Sequence, residues 1–585
     1  MLLCFVRGLY GNRTANLPEQ YEQRTFVVRS VRLGSLFGSN QKKEDIMARV
    51  PRAPHRRFGM LWLHLKVLGG FAVVSIMAMC AKAFLDHEFG IFAYTGSILV
   101  VGNVIGMALF EVYCRFIQKE HTIYRIYGQL ASTREFNEWA SDKMRDYYWK
   151  PDDRDRTSRL DQEWAQAVAH GDQALDAHGT RADLTKRGTI RLHTRALRAR
   201  DTTQEILKSF MAIEVGLPNG PRMMHALVSV SGMAYGTITD EATRAISIGA
   251  AGQFVVVTGE GGYVASAHAA GGADCRIIFQ FGTGYFGCRT LDGKFDLAQL
   301  VALVKLNPQI RGVQIKLGQG VKNGKGGNLP ARKVPPVIAR IRGVRPWEDC
   351  ISPPVHSAFS GAAGLVPFIH EVRTATGLPV SVKLAVGSLS EIDELAQEIA
   401  MHPEGAPDLI QIDGAEGGTG ASYMELMGRT AFPVYDAIQI VDLLFRYHKV
   451  RGRVKIMASG QNFTPEDVIR SLGLGADLCA TARGAKYALG CVAAGKCDRP
   501  GECPSGVTSN GKYLDVPLRA QYLRNYLDAL HKRTAMILGV LDISDYREFV
   551  GSRTKYMDVV GVKIWTMEDV NLEIARENRR LPVVV

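Results

Sequence analysis

Leu409-Ile-Gln-Ile-Asp-Gly-Ala-Glu-Gly-Gly-Thr-Gly-Ala-Ser422 is the stretch on which the fold turns. Its apolar run, 409–412, has the composition of a strand buried on both faces. The run opens into Asp413, Glu416 and a Gly-Gly-Thr-Gly loop, whose successive N–H groups suit an anion. Taken alone, this is as well explained by a tight turn after a core strand. The repetition of the pattern decides between them. Short β-branched runs at 226–230, 254–257, 276–279, 313–317, 380–384, 454–457 and 476–479 end the same way, in Gly, Ser, Thr or a charged residue. Amphipathic helix patterns fill the gaps at 295–306, 361–376, 390–402, 435–449 and 464–474. Strands alternating with helices predict a parallel sheet, and eight such units over roughly 250 residues predict a closed α/β barrel of the (β/α)8 TIM type. A doubly wound open sheet is the runner-up, but no Rossmann-type glycine fingerprint follows its first strand.

In such a barrel the functional side chains stand just past each strand. Those positions read Ser231-Gly-Met-Ala-Tyr-Gly236, Gly259-Glu-Gly-Gly262, Gln280-Phe-Gly-Thr-Gly284, Lys316 with Gln319 and Lys322, Lys383, Asp413 with Glu416, Ala458-Ser-Gly460 and Thr481-Ala-Arg-Gly484. The last two loops are small, and Arg483 stands where barrels bind phosphate. Cations together with amides suit an anionic planar ligand and an anionic substrate. A single strand-end lysine is as readily a structural ion pair, so the weight lies on the ensemble.

The 46% hydrophobic content and 60 glycines of these 585 residues describe a globular, loop-rich chain and exclude a coiled coil or a disordered one. Net charge is +13, and residues 1–60 hold eleven Lys and Arg against four Asp and Glu. This basic arm (1–58) directly precedes apolar sequence, so an anionic membrane surface explains it more simply than nucleic acid does. Residues 61–85 and 89–110 are each about long enough to span a bilayer, and a short acidic connector joins them. Basic residues flank the pair on both sides. The expectation is a transmembrane hairpin (59–113) in the inner (plasma) membrane, with the barrel on the cytoplasmic side. A buried helical hairpin is the alternative. A polar helical linker (114–205), the barrel (206–510) and a helical C-terminal extension (511–585) complete the expected division.

Ten scattered cysteines do not make a secreted disulfide framework. Three of them form Cys491-x5-Cys497-x5-Cys503-Pro. Closely spaced thiolates followed by Pro suit an iron–sulfur cluster; a zinc site lacking an evident fourth ligand and plain buried cysteines are the alternatives.

Several of these motifs, in this order, resemble the FMN-binding domain of glutamate synthase. They are Gly259-Glu-Gly-Gly262, Lys316-Leu-Gly-Gln-Gly-Val-Lys322 with Gly326-Gly327, Ile412 to Ser422, Ala458-Ser-Gly460, and Ala482-Arg-Gly484 through Cys503-Pro-Ser-Gly-Val507. The resemblance covers about residues 220–510. It is to the short, membrane-anchored single-chain form without a glutaminase domain. It implies a barrel holding FMN and a [3Fe–4S] cluster on Cys491, Cys497 and Cys503. It also implies reductive amination of 2-oxoglutarate with ammonia, with electrons from a separate donor, a ferredoxin or an NAD(P)H-dependent reductase subunit. Glu260 and Lys316 would be catalytic, one of them donating the proton to the new amine. Gln319, Lys322 and Arg342 would bind the oxo-acid. Met233, Gln280, Lys383, Glu416, Gly417, Gly418, Thr419, Gly420, Ser459, Gly460, Arg483 and Gly484 would surround the flavin. The chain departs from the family at Ala234 and Gly318, and its second cysteine gap is one residue longer. Two other readings therefore stay open: an FMN-dependent oxidoreductase for a different oxo or amino acid, and a non-catalytic electron-relay component.

Overall fold

A computed structural model of the chain describes residues 90–132, 159–172, 184–194, 200–419, 425–493 and 496–580. Eight parallel strands close a barrel: β1 (Val228–Val230), β2 (Val255–Val257), β3 (Arg276–Phe281), β4 (Ile310–Lys316), β5 (Val380–Leu384), β6 (Leu409–Asp413), β7 (Lys455–Ser459) and β8 (Leu478–Thr481). Each pairs with the next, and β8 returns to β1 through Cys479 opposite Val228 and Thr481 opposite Val230, leaving no open edge. Every residue of β5 and β6 is buried, as strands packed between a filled interior and a helical layer must be.

Outside the barrel proper stand α1 (Gly90–Val112) and α2 (Arg159–Ala169). After β1 comes α3 (Asp240–Ala250), after β4 comes α4 (Pro336–Arg342), and α5 (Val516–Gly539) belongs to the C-terminal extension. Side-chain caps start the barrel helices close behind the strands. Thr239 accepts from the Ala242 N–H, and Thr464 forms a reciprocal capping box with Asp467. One face of α5 is apolar and buried. Leu523, Tyr526, Leu527 and Leu530 are fully buried, each contributing ~1.5–3 kcal/mol of burial energy. Contact between α3 and α5 depends on Gly249, because a Cβ there would lie 2.6 Å from the Ala520 carbonyl.

The sequence misplaces a few ends. β4 begins at Ile310, earlier than expected, because the exposed Arg311 masks its pattern. β8 begins two residues late, at Leu478, since Asp477 turns inward to accept the Ile456 N–H. The membrane hairpin is not found: among the described residues no helix is long and apolar enough to cross a membrane. Its first segment, 61–85, lies outside the described residues, as does the basic arm. The second is helical within α1 (Gly90–Val112), and its residues 101–112 present an apolar exterior. They show Val101, Val104, Ile105, Leu109 and Val112 at the surface, while Phe110 packs with Cys114 and Tyr124.

Candidate active site

At the carboxyl end of the strands a cavity of about 320 Å3 opens. Its floor is a chain of buried amides. Gln280 on β3 donates to Gln314 on β4 (2.6 Å), Gln314 to Gln411 on β6 (3.1 Å), and Gln411 to the Ser231 hydroxyl past β1 (3.0 Å). Polar side chains tolerate this depth only because they satisfy one another.

Above the floor, cations outnumber carboxylates. Lys316 ends β4 and donates to Glu260 Oε1 at 2.7 Å and to Gln319 Oε1 at 3.2 Å. Burial alone would raise the Glu260 carboxyl. The attraction of Lys316, Lys322 and Arg342 overcomes it and holds the group at about 2. Glu260 is thereby held as a carboxylate at neutral pH, which favours Lys316 of the two candidate proton donors. Gly282 makes room for this carboxylate, since a Cβ there would sit 2.4 Å from Glu260 Oε2.

Lys383, next to last in β5, lies 3.7 Å from Asp413, which also accepts from the Gly320 N–H (3.0 Å) and the Ser459 hydroxyl (3.2 Å). Burial, opposed by Asp413 and reinforced by Lys316, pushes the Lys383 ammonium down. Arg342, the last residue of α4, is 4% exposed. It donates to the Tyr235 carbonyl at 3.1 Å, lies 5.1 Å from the centre of the Phe286 ring, and leaves its Nε without a hydrogen bond. Lys322 is 5% exposed, and among the described residues its Nζ has neither a hydrogen-bond partner nor a counter-ion. Burial and then the neighbouring Lys316 lower it to about 8, against the pull of Glu260. A buried, unpartnered cation facing a cavity is a site for an anion.

The opposite wall is the loop that follows β6. Gly417, Gly418 and Thr419 face the cavity, with the Arg483 guanidinium 3.1 Å from where a Gly418 Cβ would stand. Glu416 turns away to accept the Val434 N–H at 3.0 Å. Gln461, also on this wall, holds a left-handed φ of 56°, a conformation that costs on the order of 1 kcal/mol in a non-glycine residue and gathers at functional sites.

Cys491 and Cys497 reach the cavity, and Cys503 is buried behind them. Burial would raise the Cys503 thiol, but hydrogen bonding from Thr508 and Ser505 brings it to about 7. Burial raises the Cys491 thiol, with Cys497 and Cys503 adding to the effect. Among the described residues no three Cys, His, Asp or Glu side chains gather closely enough to hold a metal ion.

The cavity thus brings together Met233, Glu260, Gln280, Lys316, Gln319, Lys322, Arg342, Lys383, Glu416 to Thr419, Ser459, Gly460, Arg483, Cys491 and Cys497. Gly420 lies outside the described residues. Gly484 departs from expectation: it packs against α5, where a Cβ would meet the Tyr526 hydroxyl at 2.1 Å. Sequence reasoning missed the amides Gln314 and Gln411, whose strand-centre positions look like core, and Phe286 and Tyr235, which seat Arg342.

The family model described as the conserved region in glutamate synthase matches residues 164–544. Over 321 residues the chain is 37% identical to the glutamate synthase large subunit-like protein YerD of Bacillus subtilis, covering 53% of this chain and 59% of that protein. Over 356 residues it is 31% identical to the archaeal glutamate synthase [NADPH] of Archaeoglobus fulgidus, covering 59% and 65%. The chain therefore spans less than two thirds of these curated relatives. Among solved structures, a mandelate oxidase aligns over 69% of this chain and 100% of its own, at 14% identity and a TM-score of 0.39.

Proposed function

The chain belongs to the glutamate synthase family, and we propose that it is an FMN-dependent oxidoreductase that reduces the imine of 2-oxoglutarate and ammonia to glutamate. The observation that carries this reading is the buried Lys322 ammonium, which makes no ion pair among the described residues and stands with Lys316, Lys383 and Arg342 around Glu260 and Asp413. A pocket with that excess of positive charge suits a dicarboxylate.

The cavity fits FMN on its own chemistry. Gly417 to Thr419 and Arg483 would take the phosphate, and Met233, Gln280, Lys383, Ser459 and Gly460 would border the ring. Reduced FMN supplies the hydride. The chain's own groups do the rest. Lys322 and Arg342 hold the two carboxylates, and the amide floor fixes the depth of the ligand. Condensation of the keto group with ammonia releases water. Lys316, already hydrogen bonded to Glu260 and Gln319, gives the proton that the amine nitrogen gains as hydride adds to the imine carbon.

Electrons from a separate protein donor belong to the same reading, as does a three-iron cluster on Cys491, Cys497 and Cys503. What supports the cluster is the low thiol of Cys503 beside two further cysteines. Residence at the membrane with the barrel on the cytoplasmic side is supported by the basic residues of 1–58 and the apolar surface of α1. Carbonate washing of cell membranes tests it, and quantitative release into the wash would reject it.

The deciding experiment is anaerobic. The purified protein is analysed for bound flavin and iron, reduced, and then given 2-oxoglutarate with ammonium. Reoxidation of FMN with stoichiometric glutamate supports the proposal. Absence of flavin, or reoxidation only by a monocarboxylic oxo-acid such as pyruvate, rejects it.

A further inference from the structure

Between Lys322 and Arg342 the chain makes a strap over the cavity mouth. It runs from the 3-10 turn Gly320–Lys322 through the strand Asn328–Leu329, which pairs with Cys350–Ile351, to α4. Leu329, Val334, Ile338, Ala339 and Cys350 build a small core with Tyr235 and Phe286, separate from that of the barrel. The strap therefore shares one small packed unit with the loops that carry Tyr235 and Phe286, and such a unit can respond together.

Halfway along the strap, Lys333 is 9% exposed and makes no ion pair among the described residues. Its Nζ instead donates to three carbonyls from two other segments: Thr237 (3.0 Å) past β1, and Cys497 (3.1 Å) and Thr508 (3.0 Å) at the two ends of the cysteine loop. An ammonium has three protons, and all three are used. Arg332 beside it donates to the Asp498 carbonyl at 3.1 Å and carboxylate at 2.9 Å. Thr239 ties the β1 loop to the same segment, through the Val507 carbonyl (3.0 Å) and the Gly506 carbonyl (3.0 Å). One strap therefore carries two cations that face the cavity and the clasp that holds residues 497–508.

We propose that Lys333 is a positioning residue that couples occupancy of the oxo-acid site to the order of the cysteine loop. An anion drawn between Lys322 and Arg342 fixes both ends of the strap. The clasp at its middle then fixes residues 497–508 and, reciprocally, an ordered loop presets the two cations. The inference rests on the oxo-acid reading for its ligand, but its geometry is independent of which cofactors are loaded.

The test is hydrogen–deuterium exchange of the 497–508 amides in the protein as purified, with and without saturating 2-oxoglutarate, for wild type, Lys333→Met and Lys333→Arg. Wild-type exchange is expected to slow about fivefold or more with ligand. Lys333→Met should lose that response while still binding 2-oxoglutarate by calorimetry, and Lys333→Arg should restore part of it. Equal slowing in wild type and Lys333→Met overturns the proposal, as does bound ligand with no slowing in wild type. If calorimetry finds no 2-oxoglutarate binding, the substrate reading fails. The clasp is then judged without ligand, by whether Lys333→Met speeds loop exchange at least about fivefold or leaves it unchanged. Should Lys333→Met not fold, Arg332→Ala on the exposed half of the clasp takes its place with the same outcomes.

Discussion

Replacing Lys322 by Met should stabilise the protein and weaken its binding of the oxo-acid. Burial and the neighbouring cations bring this ammonium from 10.5 to about 8. At 1.36 kcal/mol per pH unit, holding it charged in the folded state costs about 3 kcal/mol. Since the folded value is the lower one, the cost is present in full below about pH 8. It fades as pH rises toward 10.5, where the unfolded lysine also loses its proton. Methionine keeps the stem without the charge. Lys322→Met should therefore raise stability at pH 7 by up to about 3 kcal/mol, and by little at pH 10. The same change removes a desolvated partner of the substrate carboxylate, worth ~2–5 kcal/mol, so affinity should fall by about 30-fold or more. Wild-type affinity should also fall about tenfold for each pH unit above 8, and the variant should lose that limb. Urea unfolding at pH 7 and pH 10, with calorimetric titration of 2-oxoglutarate across pH 7–9.5, measures both. A variant less stable than wild type at pH 7, or one with unchanged affinity, refutes the argument from an unpartnered cation.

Glu260→Gln leaves Lys316 buried beside a neutral amide and should cost about 3–5 kcal/mol in urea unfolding at neutral pH. Because the Glu260 carboxyl is held at about 2, its contribution exists above the ordinary carboxylate range and is lost as pH falls toward about 2. The stability gap between wild type and variant should therefore close in an acid titration. Gly320→Ala would set a Cβ 1.6 Å from the Gly414 carbonyl and should separate the β4 and β6 loops. Bound FMN per chain reads this out, and a fully loaded variant would count against the close approach. Arg483→Ala should weaken FMN while leaving riboflavin nearly unaffected, by about 1.5–3 kcal/mol for a lost charged hydrogen bond. Fluorescence titration of flavin-stripped protein compares the two.

The barrel was legible because its signal is local. The helix at Gly361–Thr376 falls where the apolar spacing puts it, and all eight β-branched runs became strands. Strand ends then located the rim, so Lys316, Lys383 and Asp413 could be named before their surroundings were known. What stayed hidden depends on segments distant in sequence. Lys333, in a Lys-Val-Pro-Pro run, gave no cue that three carbonyls would converge on it. Gln314 and Gln411 sit in apolar runs and acquire meaning only when β4 and β6 face one interior. Gly484 carries a second demand that the sequence did not show: a Cβ there would meet the Tyr526 hydroxyl on α5.

The two ends of the barrel treat charge in opposite ways, and the contrast explains how the site can remain unsatisfied. At the amino end the buried carboxylates Asp408, Asp442 and Asp477 are each matched. Asp408 accepts from Arg373 and from the Val380 and Leu217 N–H groups. Asp477 takes Arg451 at 2.8 Å and Lys455 at 3.5 Å, and Asp442 takes Arg446, Arg451 and Arg553 at 2.7–2.8 Å. These pairs tie β6, β8 and the C-terminal extension together far from the cavity. At the carboxyl end the cavity gathers Lys316, Lys322, Arg342, Lys383, Arg483 and Lys486 against Glu260, Asp413 and Glu416, and among the described residues Lys322 makes no ion pair. A closed sheet transmits little of that repulsion to its matched end, because strand register is fixed by backbone pairing rather than by rim charge. The imbalance is local to the rim, and in the proposed reading it is the strain that an anionic substrate would relieve.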